Sequence, residues 1–180
     1  MAHNSMSLRI AFLVGGRRTG STLLHNLLCG SPDAHRYVGE FQFLTRILDA
    51  FRWGHDNYDR LVRFYFRDRD HLDDLQRETI RNLISEAVTT LAPLRCAILK
   101  NPELSAHVLM LAKALPESPF VATIRDPRDQ VASEQAMRAK QLKMGLRTGV
   151  IPSARDLAIH FRSYYDPLWK LQAAQPERVI

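Results

Sequence analysis

The segment from Leu8 to Cys29, LRIAFLVGGRRTGSTLLHNLLC, constrains the fold of this chain more than any other. The apolar residues Ile10–Val14 predict a short buried β-strand, and the pair of glycines that follows predicts a turn. Leucines at helical spacing then predict an α-helix that stops near Gly30. The residues between strand and helix, 17–22, therefore cross the N-terminus of that helix.

This turn has the composition of an anion-binding site. The first backbone N–H groups of a helix have no intrahelical acceptor, and the helix dipole is positive at that end. Side chains with hydroxyl groups or fixed positive charges add to these donors. They are Arg17, Arg18, Thr19, Ser21 and Thr22. A phosphate-like group is therefore the expected ligand.

The same turn nearly matches the nucleotide P-loop pattern G-x-x-x-x-G-K-[ST]. Gly15 and Gly20 have the expected separation, but Ser21 stands where the pattern has lysine. Kinases and GTPases place that lysine on the β and γ phosphates, so its replacement indicates a ligand with a different phosphate arrangement. A P-loop phosphotransferase and a non-catalytic nucleotide-binding fragment are the alternative interpretations.

Length and charge limit the remaining possibilities. The 180 residues predict a flexible leader at 1–7 and one domain at 8–180. The net charge of +6 favours an anionic ligand. Nucleic acid is not expected as a partner, because the arginines are scattered and no module of interleaved basic and aromatic residues is present. The sequence does not predict an oligomeric state.

Cysteine and histidine spacing predicts no metal site. Cys29 and Cys96 lack C-x-x-C spacing, and the seven histidines lack H-x-x-x-H and H-E-x-x-H spacing. Core or surface positions are expected for these side chains. With neither a signal peptide nor a stretch long enough to span a membrane, the expected location is the cytoplasm.

Charged residues follow the next two predicted strands. His35–Val38 predicts a second strand, after which comes Glu40, and Cys96–Leu99 predicts a third strand, after which comes Lys100. Carboxyl ends of parallel strands share one edge of a sheet, which makes Glu40 a candidate general base. Alternatively, Glu40 stabilises the N-terminus of the following helix. Lys100 either faces the ligand or is a solvated charge.

A fourth predicted strand, Phe120–Ile124, leads into Arg125 and a helix that carries Ser133. Pro176–Ile180 looks like the opening of a fifth strand. Because strands alternate with helices, the chain is predicted to form a three-layer, P-loop-like α/β fold. Its central parallel sheet would have four to five strands flanked by helices.

Two other segments are predicted with less detail. Residues 41–92 have a helical pattern, and their many aromatic side chains either pack in the core or line an acceptor pocket. Lys140–Ser153 is basic and contains two glycines, so it is predicted to be a mobile surface loop or a gate.

Two separated segments resemble the sulfotransferases that use 3′-phosphoadenosine 5′-phosphosulfate (PAPS). VGGRRTGSTLL at Val14–Leu24 resembles their 5′-phosphosulfate loop, V-G-x-P-R-S-G-T-T-L-L. IRDPRDQVAS at Ile124–Ser133 resembles their 3′-phosphate motif, R-D-P-R-D-x-x-x-S. The resemblance spans residues 9–180. It implies transfer of a sulfuryl group from PAPS to a hydroxyl or amine of a small-molecule, glycan or peptide acceptor, without a metal.

The resemblance also assigns nucleotide-binding residues by position. It implies that the 5′-phosphosulfate is held by Arg18, Thr19, Gly20, Ser21 and Thr22, and the 3′-phosphate by Arg125 and Ser133. Arg17 replaces the proline of the family pattern, and its charge suits the same site. The domain of this family continues past the position of Ile180, so the chain is expected to be truncated at its C-terminal end.

The catalytic residues follow from two branches of the family. Gly39-Glu40 resembles the Gly-Glu element of tyrosylprotein-type and related members, in which the glutamate is the general base. Cytosolic small-molecule members instead have a catalytic histidine two residues after a lysine, where this chain has Pro102. The resemblance therefore implies Glu40 as the base, with Lys100 and Arg18 stabilising charge on the sulfuryl and phosphate oxygens.

Overall fold

A parallel β-sheet forms the centre of the protein. The computed structural model describes residues 9–91, 95–146 and 153–180, and across these ranges the sheet has three strands in the order β2-β1-β3. The strands are β1 (Arg9–Gly15), β2 (Cys96–Lys100) and β3 (Phe120–Thr123). The expected leader at 1–7 lies outside the described residues.

Six α-helices accompany the sheet within the described ranges. They are α1 (Ser21–Leu28), α2 (Gln42–Asp56), α3 (Arg69–Thr89), α4 (Val108–Ala114), α5 (Pro127–Lys143) and α6 (Ala154–Ala174). A π-helical turn spans Tyr58–Val62, and 3₁₀ turns span Pro102–His107 and Pro176–Arg178. None of these described helices combines the length and the apolar character needed to cross a membrane.

The central strand is buried on both sides. Phe12, Leu13 and Val14 are at most 1% exposed. Because neighbouring residues of a strand point to opposite faces, both faces of the sheet must be covered, as in the predicted three-layer arrangement. Leu13 pairs with Lys100 of β2 and Gly15 with Thr123 of β3, so the carboxyl ends of the three strands share one edge.

The sheet has fewer strands than the four to five expected. The segment His35–Val38 is not a strand in the structure, although an isolated bridge joins Ala34 to Cys96. Nε2 of His35 instead accepts a hydrogen bond from the backbone N–H of Ile98, at 3.0 Å. A side chain thus satisfies a donor that a neighbouring strand would satisfy, and it protects the edge of β2.

The C-terminal residues, expected to begin a fifth strand, make only a few backbone contacts with β3. Val179 forms a parallel bridge with Phe120, and the N–H of Ala122 donates to the carbonyl of Ile180 at 2.8 Å. A single bridge is not a strand, so Pro176–Ile180 does not form the expected fifth strand. The expectation of four to five strands is wrong for the described chain.

The structure also differs from the prediction in the helix α1 and in the segment Lys140–Ser153. Leu23 and Leu27 of α1 are 66% exposed, and its buried residues are Ser21 and His25. The buried face of α1 is therefore polar. Its histidine has a partner in the sheet, since Nε2 of His25 lies 3.1 Å from the carbonyl oxygen of Ile98. The expected loop Lys140–Ser153 begins inside α5, which continues to Lys143, and residues 147–152 lie outside the described ranges.

Candidate active site

Distant side chains hold the turn between β1 and α1. The N–H of Gly15 donates to Oγ of Ser105 at 2.7 Å, and the same hydroxyl donates to the carbonyl of Gly15 at 3.1 Å. The N–H of Gly16 donates to the Tyr165 hydroxyl at 2.9 Å, which in turn donates to the carbonyl of Thr123 at 2.8 Å. Side chains from distant parts of the chain therefore fix the position of the turn.

Both predicted phosphate motifs meet at one cavity. Nε of Arg18 donates to Oγ of Ser133 at 3.1 Å, and Nη1 of Arg125 donates to the carbonyl of Arg18 at 3.2 Å. The cavity has a volume of about 230 Å³ and is lined by Arg18, Gly20, Ser21, Thr22, Arg125 and Ser133. Its lining contains two guanidinium groups, three hydroxyl groups and no carboxylate, so it is suited to an anion.

The backbone of the turn is shaped for this site. Arg18 has a φ of 64°, in the left-handed region that side chains rarely adopt, and Gly20 at the start of α1 has a φ of 88°. Such a conformation in a non-glycine residue is unfavourable and is found most often at functional sites. Here it accompanies a guanidinium that lines the cavity.

Two predicted nucleotide-binding residues point elsewhere. The guanidinium of Arg17 forms an ion pair with Glu103 and contacts Tyr164. Burial opposes its charge, but Tyr164 and Glu103 together raise the pKa of Arg17 above its usual value. Oγ1 of Thr19 lies 2.7 Å from Oγ1 of Thr123. Both side chains therefore contact the surroundings of the turn rather than line the cavity.

Lys100 connects this cavity to Glu40. Its Nζ atom donates to Oε1 of Glu40 at 2.5 Å and to Oγ1 of Thr22 at 3.1 Å. The Lys100 side chain is 2% exposed, whereas that of Glu40 is 37% exposed. A buried ammonium requires such partners, so the solvated-charge alternative for Lys100 is wrong.

The Glu40–Lys100 pair lines a second cavity. It has a volume of about 220 Å³, and Glu40 and Lys100 are the charged residues in its lining. Much of the remaining lining is apolar and includes Phe41, Leu91 and Leu99. The Glu40–Lys100 pair thus contacts a largely apolar cavity, and Lys100 is also bonded to Thr22 in the lining of the first cavity.

Sequence patterns did not reveal the residues that support the site. Ser105 and Tyr165 bind the turn from a 3₁₀ turn and from α6, far along the chain. Glu103 pairs with Arg17 from the same 3₁₀ turn. A tyrosine or serine within an otherwise apolar buried stripe would have been the available signal, but it does not identify the partner.

The fold and the site define an α/β domain with a cavity suited to an anion at the carboxyl edge of a parallel sheet. Within that class, the chain belongs to the sulfotransferase family, whose family model matches residues 11–180. The family resemblance seen in the two motifs is therefore confirmed. A comparison with curated proteins found no match.

Solved sulfotransferase structures share the fold. The chain is similar to the sulfotransferase domain from the curacin biosynthetic pathway, with 18% identity, a TM-score of 0.60, and coverage of 97% of this chain and 66% of that one. It is also similar to sulfotransferase STF9 from Mycobacterium avium, with 19% identity, a TM-score of 0.57, and coverage of 96% of this chain and 58% of that one. A third similar structure is the sulfotransferase domain of the Synechococcus PCC 7002 olefin synthase, with 17% identity, a TM-score of 0.56, and coverage of 96% of this chain and 64% of that one. The chain thus spans about two thirds or less of each structure.

Proposed function

We propose that this chain forms the donor-binding part of a PAPS-dependent sulfotransferase. The observation that carries the proposal is the convergence of the Arg18 turn and the Arg125–Ser133 segment on one cavity. PAPS carries a phosphosulfate at its 5′ position and a separate phosphate at its 3′ position. A helix N-terminus with two guanidinium groups beside it is suited to both groups.

In the proposed reaction, Glu40 accepts the proton of the acceptor hydroxyl or amine as a general base. The acceptor atom attacks the sulfur, and the bond between sulfur and the bridging oxygen of the 5′-phosphate breaks. The products are the sulfated acceptor and 3′-phosphoadenosine 5′-phosphate. Lys100, Arg18 and the N–H groups at the start of α1 stabilise the negative charge on the sulfuryl and phosphate oxygens.

The proposal places the acceptor in the cavity beside Glu40, because the base lines that cavity. A larger apolar cavity of about 480 Å³ lies between α5 and α6 and provides the comparison. Ala87→Phe would fill the first cavity, and Val131→Phe would fill the second. We expect only Ala87→Phe to raise the KM of the acceptor, and the opposite pattern would move the acceptor to the second cavity.

The donor is tested by thermal shift. We expect 3′-phosphoadenosine 5′-phosphate to raise the melting temperature at concentrations where ATP with Mg²⁺ has little effect. Stabilisation by ATP with Mg²⁺ alone would favour the phosphotransferase alternative. Transfer of a labelled sulfuryl group from PAPS to each member of a panel of phenols, alcohols and amines then tests the reaction itself. The cytoplasmic location stays a prediction from the sequence.

A further inference from the structure

Three potential metal ligands lie together beneath the candidate active site, although their sequence spacing predicted none. His25, Cys29 and His35 each offer one ligand atom within 4.8 Å of the others. His25 and Cys29 are four residues apart, within α1 and at its C-terminal end, and therefore face the same side. His35 belongs to the segment that leads to Glu40.

His25 has an unused nitrogen in the interior of the protein. Its side chain is fully buried, and Nε2 lies 3.1 Å from the carbonyl oxygen of Ile98, which assigns the proton to Nε2. Nδ1 then carries a lone pair, and it has no hydrogen-bond partner among the described residues. Burial lowers the pKa of His25, so the ring stays neutral. Buried nitrogens without partners are rare, and this one is available to a metal.

Cys29 supplies a sulfur of the kind that transition metals prefer. It is a free, half-buried cysteine. Burial raises the pKa of its thiol, and the neighbouring Cys96 adds to this effect. The thiol is therefore protonated at neutral pH, and a bound metal would displace the proton as it does at other cysteine ligands.

His35 can become the third ligand through Nε2, the ring nitrogen that carries the lone pair. Nδ1 now lies 2.7 Å from the carbonyl oxygen of Arg36, and Nε2 accepts from the N–H of Ile98. Nε2 also lies 3.0 Å from the carbonyl oxygen of Ile98. Nδ1 keeps its proton and its bond to the carbonyl of Arg36, and a metal at Nε2 would replace the N–H of Ile98 as the partner of that lone pair.

We propose that His25, Cys29 and His35 form a binding site for a divalent transition-metal ion of the Zn²⁺ type, with water as the fourth ligand. Two imidazole nitrogens and one thiolate suit Zn²⁺, which binds such ligands tetrahedrally. The bound ion would join α1 to the segment that carries Glu40. This inference does not depend on the sulfotransferase reaction.

The test uses the metal-free chain and spectroscopy. Titration with Co²⁺ is expected to give one equivalent of binding with a thiolate-to-cobalt charge-transfer band, and Zn²⁺ should displace the Co²⁺ and raise the melting temperature. Cys29→Ser should remove the band and weaken binding by more than about tenfold. Cys96→Ser is the matched control, because Cys96 is also free but lies outside the cluster.

Three results would overturn the inference. The first is the absence of a charge-transfer band in the unsubstituted chain. The second is equal loss of the band in Cys96→Ser and Cys29→Ser. The third is unchanged Zn²⁺ affinity in Cys29→Ser. Circular dichroism with a chelator present confirms that each variant is folded, so loss of binding can be assigned to the ligand and not to unfolding.

Discussion

Nε of Arg18 donates a hydrogen bond to Oγ of Ser133 at 3.1 Å, although the two residues are 115 positions apart. One belongs to the turn before α1 and the other to the middle of α5. The bond joins the two predicted phosphate-binding motifs directly. A phosphate bound between them would replace this bond with stronger, charge-assisted ones, so the affinity for a ligand should depend on both motifs.

The 3′-phosphate assignment predicts a selective loss of affinity. Arg125→Ala and Ser133→Ala should each weaken binding of 3′-phosphoadenosine 5′-phosphate by about tenfold or more, because a hydrogen bond to a charged group contributes about 1.5–3 kcal/mol. Binding of AMP, which has no 3′-phosphate, should change little. Calorimetric titration with each nucleotide measures the ratio of the affinity for 3′-phosphoadenosine 5′-phosphate to the affinity for AMP.

Arg128→Ala provides the control for these variants. The Arg128 side chain is 90% exposed, is paired with Asp126, and does not line the cavity. Its removal should leave the ratio of the two affinities unchanged. Equal losses for AMP and 3′-phosphoadenosine 5′-phosphate in Arg125→Ala would argue against the assigned 3′-phosphate position.

Substitutions of Arg18 and Glu40 should separate donor binding from proton transfer. Arg18→Ala and Glu40→Gln are both expected to abolish transfer, and the loss of a general base lowers rates by about 10²- to 10⁴-fold. Only Arg18→Ala should weaken nucleotide binding. Glutamine at position 40 retains an oxygen that accepts the hydrogen bond from Lys100, which keeps that ammonium paired. Equal nucleotide affinity in the two variants would contradict these roles.

Short-range sequence patterns were enough to predict residues that the structure brings together at one cavity. The strand, turn and helix around Gly15–Thr22 and the capped helix after Arg125 both follow local rules, and parallel topology brings their ends to one edge. Six of the predicted nucleotide-binding residues consequently line one cavity. The contacts that support the site could not be predicted in this way, because they depend on which distant side chain reaches which group of the turn or the sheet.

His35 and Arg17 show which contacts the local sequence pattern does not reveal. The residues at 35–38 have a strand-like pattern, but the His35 ring takes the hydrogen bond that a strand would make. The charge of Arg17 suits an anion site, but in the structure its guanidinium is paired with Glu103. Neither competition is visible in local sequence, since both partners come from elements more than 60 residues away.

Arg17 is expected to support the turn rather than bind the nucleotide. In Arg17→Gln the ion pair with Glu103 is lost, and because both side chains are partly exposed this should cost about 1 kcal/mol or less. The melting temperature should fall by a few degrees, while affinity for 3′-phosphoadenosine 5′-phosphate stays within about twofold. Arg18→Gln is the comparison, and a similar loss of affinity in both would place Arg17 in the site.

Two glycines of the turn should differ in their tolerance of alanine. A Cβ on Gly15 would lie 2.3 Å from the carbonyl oxygen of Thr123, and its φ is 125°. Gly20 also has a positive φ, but a Cβ there meets no atom within 4 Å. We expect Gly20→Ala to cost about 1–2 kcal/mol from backbone strain, and Gly15→Ala to cost clearly more. Urea unfolding measures both, and equal costs would contradict the predicted clash.

His107 should make stability depend on pH. The residue is 3% exposed, and burial together with the charge of Arg52 lowers the pKa of His107, although Asp49 acts in the opposite direction. In the unfolded chain the ring takes up a proton near pH 6.5, but in the folded protein it does so only at lower pH. The unfolded state therefore binds more protons as the pH falls, and the free energy of unfolding decreases below about pH 6.5.

The variant His107→Gln isolates this contribution. Its amide can still donate to Asp49, which lies 3.0 Å from Nε2 of His107, but it does not titrate. Between about pH 7 and 5, its free energy of unfolding should fall less steeply, by up to about 1.4 kcal/mol for each unit by which the pKa is lowered. Buried His25 should account for part of the remaining slope, since its pKa is also lowered. Exposed His160→Gln is the control, and an unchanged slope in His107→Gln would show that His107 titrates alike in both states.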